Sequence, residues 1–186
     1  LIDKVYRPET LARAWQRVAS KGGAGGVDGQ SLESFGRHAQ EYLEELSEAL
    51  RTGTYRAQAV RGVKIPKGPG QWRSLGIPTI KDRIVQTAVK MVIEPIFEHE
   101  FVCCNYGMCP GRSCKDALRA VDEMLRAGHC WAVDLDITDY FGSIPQEPLM
   151  STVEHRISDG AVLDLLRQWL SQQVLEQMRE WTPESG

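Results

Sequence analysis

Three carboxylates, Asp134, Asp136 and Asp139, stand inside the apolar run from Trp131 to Phe141, WAVDLDITDYF. On a strand with alternating faces, Val133, Leu135 and Ile137 fall on one side and Asp134, Asp136 and Thr138 on the other. Like charges two residues apart on one face repel unless a cation sits between them or water screens them. Two readings follow: a strand whose carboxylates bind a metal, or a polar edge strand whose acids face solvent.

The second concentration of chemistry is positive. Residues 51 to 90 carry nine Lys and Arg (Arg51, Arg56, Arg61, Lys64, Lys67, Arg73, Lys81, Arg83, Lys90) against the single acid Asp82. Residues 131 to 186 carry three Arg against ten acids, so the net charge of −3 hides a polarised chain. A basic block of this density is the footprint of phosphate binding, and an acidic block beside it suits divalent cations. A solvated basic face balanced by acids elsewhere in the fold would leave the same pattern.

Local patterns along the chain predict the framework around these groups. Pro8 to Ser20 reads as a helix with Leu11, Trp15 and Val18 on one stripe. The glycines of Gly22 to Gly29 form a loop, either a close backbone approach or a flexible connector, and no GK[ST] follows to make it a P-loop. Ser31 to Leu50 reads as one acidic amphipathic helix burying Phe35, Tyr42, Leu43, Leu46 and Leu50. Ala59 to Ile65 and Trp72 to Ile77 are strands around a GPGQ turn, a hairpin with Lys67 and Arg73 near its tip. Thr79 with Asp82 caps a helix from Ile80 to Glu94 that Pro95 ends or kinks. Phe101 to Ser113 is a loop, and Ser113 with Asp116 opens a helix from Cys114 to Ala127 that Gly128 closes. The acidic strand comes next, then helices over Pro145 to His155 and Gly160 to Leu170, and REWTPESG as a loop.

One good core is within reach of 186 residues. No apolar run of about eighteen residues and no leader occur, which predicts an intracellular protein with no membrane contact. Five cysteines (Cys103, Cys104, Cys109, Cys114, Cys130) include no CxxC pair, so reduced thiols are expected.

Four motifs then fall in one order: a glycine loop ending GVDG, the hairpin IPKGPGQWRSLGIPTIKDRIVQ, the loop YGMCPGRS, and DITDYF. In that order and spacing the chain resembles the amino-terminal part of bacterial group II intron-encoded reverse transcriptases. The resemblance implies an α+β fold, the fingers of a right-hand polymerase with an incomplete palm. It implies fingers with an amino-terminal extension over residues 1–130, and over residues 131–186 a partial palm carrying the first catalytic aspartate. It implies Asp136 as a Mg²⁺ ligand with the Ile137 carbonyl beside it. Arg61, Lys67 and Arg73 would hold the triphosphate of a dNTP, and Phe141 would guard its sugar, although ordinary core packing also fits Phe141. Gly26 to Gly29, with Gly26 and Gly29 at its ends, and Arg112 would lie along the RNA template. A DNA primer, group II intron RNA and a bacterial cytoplasmic setting complete the expectation. A maturase module that binds RNA without catalysis is the alternative.

The sequence departs from the family pattern in places. Met108 and Cys109 replace the Phe and Arg of YGFRPGRS, and FGSIPQ stands where FDNIDH is usual. The family's PQG motif and Tyr-Ala-Asp-Asp turn, which bring the other metal ligands, would follow residue 186. The piece by itself is therefore expected not to polymerise. DLDIT also fits the DxDx[TV] signature of aspartyl-phosphate phosphatases, with Asp134 as nucleophile and Asp136 as acid/base, but no lysine follows Lys115.

Overall fold

A computed structural model describes residues 1–175 and the backbone of 176 and 179–181. The first half is a helical cluster. Helices α1 (Ile2–Val5), α2 (Pro8–Lys21), α3 (Leu32–Arg37) and α4 (Ala39–Arg51) pack around the long α5 (Ile80–Glu98). Leu11, Ala14 and Val18 of α2 meet Ile80, Ile84, Val85, Ala88 and Val89 of α5, all fully or almost fully buried. These are the i, i+3, i+4 positions at which a helix presents one continuous stripe. Trp15, Phe35 and Tyr42 add a tilted aromatic stack with centroid separations of 4.6 and 5.0 Å.

Where one helix was expected over Ser31 to Leu50, two form. Ser31 caps α3 by accepting from the Ser34 amide at 3.1 Å, and the chain leaves helical geometry at His38, with φ −125°, before α4 starts. Gly36, a weak helix former one turn from its start, sits under the Trp15 ring, which a β-carbon there would meet at 3.7 Å. Helix α5 also runs on to Glu98 instead of ending before Pro95. Pro95 removes one amide bond within the last turn, where the loss is smallest.

Strands β1 (Val60–Gly68) and β2 (Gln71–Ile77) form the expected antiparallel hairpin, with Gly70 at φ +71° in its turn. Only its base is buried, and from Lys64 to Gly76 every residue is exposed. The second half continues with α6 (Cys114–Arg126), α7 (Tyr140–Ser143), α8 (Gln146–Glu154) and α9 (Gly160–Leu170), and Val162, Leu163 and Leu165 of α9 join the common core. Two short strands unforeseen in the sequence, β3 (Val174–Glu176) and β4 (Arg179–Trp181), extend the sheet to the order β2-β1-β3-β4, with β3 parallel to β1 at Val60↔Val174 and Arg61↔Leu175. The loop expected at REWTPESG is thus a strand over Arg179–Trp181, because its ladder partner β3 lies beside it, and residues 182–186 fall outside the described residues. No helix among the described residues is long and apolar enough to cross a membrane.

The acidic strand does not form. Residues 129–137 have no regular structure, and Leu135 is 89% exposed, with Val133 and Ile137 also open to solvent. A strand needs a ladder partner and a surface for its apolar face, and this segment has neither among the described residues.

Candidate nucleotide and nucleic-acid interface

The hairpin's register sorts its side chains into two faces. Arg61 pairs with Ile77, Val63 with Leu75 and Ile65 with Arg73, so Arg61 and Arg73 share one face across an apolar strip. Gly62, Lys64 and Pro66 share the other with Gly76, Ser74 and Trp72. The register shifts between Pro66 and Gly68, leaving Lys67 as a bulge residue at the tip. Arg61 and Arg73 stand four residues apart along the strands, about 13 Å.

The cations of the basic block divide by partner. Arg51, Lys81 and Lys90 are in ion pairs with Glu48, Glu45 and Glu94. Arg56 donates to the carbonyls of Gly53 and Tyr55, and Lys64 has an interaction of its own. Arg83 donates to the carbonyl of Ala24 at 2.8 Å and of Gly22 at 3.4 Å. Arg61, Lys67 and Arg73 have no side-chain hydrogen bond or ion pair among the described residues, and the Arg61 Nε is buried without a partner. A buried guanidinium N–H left unpaired costs free energy that an incoming acceptor would recover.

Below the hairpin, the glycine loop is docked onto the start of α5. A β-carbon on Gly26 would lie 2.7 Å from the Thr79 nitrogen and Cα and 2.9 Å from the Pro78 carbonyl carbon, so only glycine fits. Gly29 adopts φ +66° and hydrogen-bonds back to the Gly26 carbonyl at 3.3 Å. Arg83 clamps the other side of the loop, and its burial draws the guanidinium pKa down, with Asp28 acting against the shift.

Asp82 fixes the hairpin's root. It is buried and accepts from the Tyr55 hydroxyl at 2.5 Å, the Thr79 hydroxyl at 2.9 Å and the Gln58 amide at 3.2 Å. The Thr79 hydroxyl in turn caps α5 by accepting from the Asp82 amide at 3.1 Å. Burial pushes the Asp82 carboxyl pKa up against the pull of these hydrogen bonds, and burial together with the Asp82 charge drives the Tyr55 phenol far above its usual range. One carboxylate thus ties the segment entering β1 to the helix that follows β2. The Thr79–Asp82 spacing identifies Asp82 only as a cap. Its isolation as the one acid among nine cations was the available signal that it serves the fold from within.

The remaining candidates lie apart. Arg112 spends its Nη1 on the carbonyls of Val102, Cys103 and Asn105, at 2.8 to 3.0 Å, and so closes the Phe101–Ser113 loop on itself. Cys109 is buried there, its thiol pKa raised by burial and by the Glu98 carboxylate beside it. Phe141 is exposed in α7, edge-on to Tyr140 at 5.2 Å. Asp136 is exposed, with its Oδ1 accepting from the Ile137 amide at 3.0 Å. No group of three or more His, Cys, Asp or Glu that could share a metal ion occurs among the described residues. One carboxylate and one backbone carbonyl fall short of the donors that a two-cation centre needs.

Comparison with known proteins accounts for these parts. Residues 65–185 match the family model described as reverse transcriptase (RNA-dependent DNA polymerase). The chain is 37% identical over 172 residues to protein YkfC of Escherichia coli, covering 89% of this chain and 45% of that protein. It is 31% identical over 196 residues to the group II intron-encoded protein LtrA of Lactococcus lactis, covering 100% of this chain and 32% of LtrA. The chain thus spans less than half the length of these relatives. A solved partial Cas6-RT-Cas1--Cas2 complex shares the fold with a TM-score of 0.65 at 20% identity, covering 100% of this chain and 30% of that one. The chain belongs to the reverse transcriptase (RNA-dependent DNA polymerase) family, with group II intron-encoded proteins among its relatives.

Proposed function

We propose that this chain supplies the fingers and the start of the palm to a polymerase of the group II intron type, which adds dNTPs to a DNA primer on an RNA template. One observation carries the reading: of the nine cations in the basic block, the three whose side chains make no hydrogen bond or ion pair of any kind among the described residues are Arg61, Lys67 and Arg73, all on the projecting hairpin. A triphosphate offers the acceptors that these donors lack, and a hairpin rooted rigidly but exposed at its tip can close over it and reopen. The orphaned Arg61 Nε at the hairpin's base adds a donor where the nucleotide or the template would pass.

The family generally uses a divalent metal. In this reading the metal would be Mg²⁺, which supplies charge neutralisation for phosphoryl transfer when bound. Asp136 and the Ile137 carbonyl would each give it one oxygen, and Phe141 would face the sugar. The basic surface also serves to hold group II intron RNA, as the intron-encoded relatives suggest, and a bacterial cytoplasm goes with both tasks.

The test is primer extension on an RNA template by the full-length protein. Asp136→Ala is expected to abolish extension while leaving RNA binding in place. Extension at the wild-type rate in that variant overturns the assignment.

A further inference from the structure

The hairpin face opposite Arg61 and Arg73 has no role in the reading so far, yet it carries the most unusual side chain of the basic block. Trp72 is 66% exposed at the tip, directly across the ladder from Pro66. Burying an indole is worth more than burying almost any other side chain, so a tryptophan left in water on an exposed hairpin does little for the fold. Its surroundings are cationic and flat. Residues 61–77 contain Arg61, Lys64, Lys67 and Arg73 and no acid. Beyond Trp72 on its own face come Ser74 and Gly76, with Gly62 and Lys64 on the neighbouring strand. Apart from Lys64, the side chains on that surface between the indole and Val60 are small.

We propose that Trp72 is a stacking shelf for an unpaired base of single-stranded nucleic acid, held on the face of the hairpin that does not take the nucleotide. The proposal rests on the polymerase-fingers reading for the hairpin's part in nucleic-acid binding and adds a second surface to it. An aromatic ring between flanking cations provides what a single strand needs, a π-face for the base and positive charge for the phosphates on either side. Lys67 stands across the turn from the indole at the bulge and Lys64 lies diagonal to it on the same face, about 7–8 Å away, whereas Arg73, next in the chain, belongs to the opposite face. A duplex hides its base faces, so the occupant is a single strand. The ring reads no hydroxyl, so RNA and DNA strands are held alike.

The experiment titrates the chain with a short labelled single-stranded RNA, a DNA of the same sequence and an abasic strand of the same length, by fluorescence anisotropy at low salt. Trp72→Ala is expected to weaken both base-bearing strands by about 5- to 150-fold and to leave the abasic strand unchanged. Trp72→Phe restores most of the loss. Equal affinity of Trp72→Ala and wild type for the base-bearing strands overturns the shelf, as does an equal loss on the abasic strand. Wild-type protein that binds none of the three strands overturns the fingers reading together with the shelf. Binding that survives in Trp72→Ala but collapses in Lys67→Ala overturns the shelf and leaves the fingers reading standing.

Discussion

Helices α5 and α6 are both amphipathic, and the structure treats them in opposite ways. The apolar stripe of α5 packs against α2, α1 and α4, with Ile84 fully buried. The stripe of α6, Leu118, Val121, Met124 and Leu125, faces solvent, with Leu118 68% exposed and no residue of the helix buried. Periodicity states that a helix has a face to bury and leaves open what buries it. The same contrast separates the hairpin, whose root is locked by Asp82, from residues 129–137, whose alternating pattern finds no ladder.

A pair of truncations tests whether the two helix faces differ in solution. Ile84→Ala in α5 should cost about 2–5 kcal/mol, since it opens a cavity in closed packing. Leu118→Ala in α6 should stay within about 0.5 kcal/mol, because its side chain is already largely in water. Urea denaturation of the two variants checks both values, and a comparable loss in each would mean that the α6 face is covered in solution.

A smaller effect sharpens the contrast at the hairpin root. The native Asp82 carboxyl has its pKa raised by burial above the unfolded value. Its contribution to stability is therefore fully present below the ordinary carboxylate pKa and is lost as pH rises through the raised native value. Asp82→Asn cannot titrate, so its urea midpoint should fall less than that of wild type as pH climbs from the acid side toward neutrality. Parallel midpoints for the two proteins across that range would contradict the burial of a charged Asp82.

The parts legible in the sequence were those set by neighbours in the chain. The Thr79–Asp82 cap and the capping box of Ser113 with Asp116, whose carboxylate accepts from the Ser113 amide at 2.9 Å, need only a spacing of three residues. The hairpin was legible from alternation around a glycine turn, which places Arg61 and Arg73 on one face without any distant contact. What escaped were contacts across long stretches of chain. The parallel pairing of β1 with β3 joins Val60 to Val174, and Asp82 finds Tyr55 and Gln58 24 to 27 residues away. The clamp of Arg83 on the glycine loop spans about 60 residues, and no local pattern announces it. The acidic strand was misplaced for the converse reason: alternation is a local property, whereas a strand exists only through its neighbours.

At the small end lie Lys67 and Arg73, exposed and without a partner among the described residues, whose removal should barely touch stability. That makes them the most direct probe of the central claim. In the full-length protein, Arg73→Ala and Arg61→Ala should each raise the KM for dNTP in RNA-templated extension by about tenfold or more, the loss of one charge-assisted contact. The urea midpoint of Arg73→Ala should match wild type. An unchanged KM in both variants would contradict the assignment of this hairpin to the incoming nucleotide.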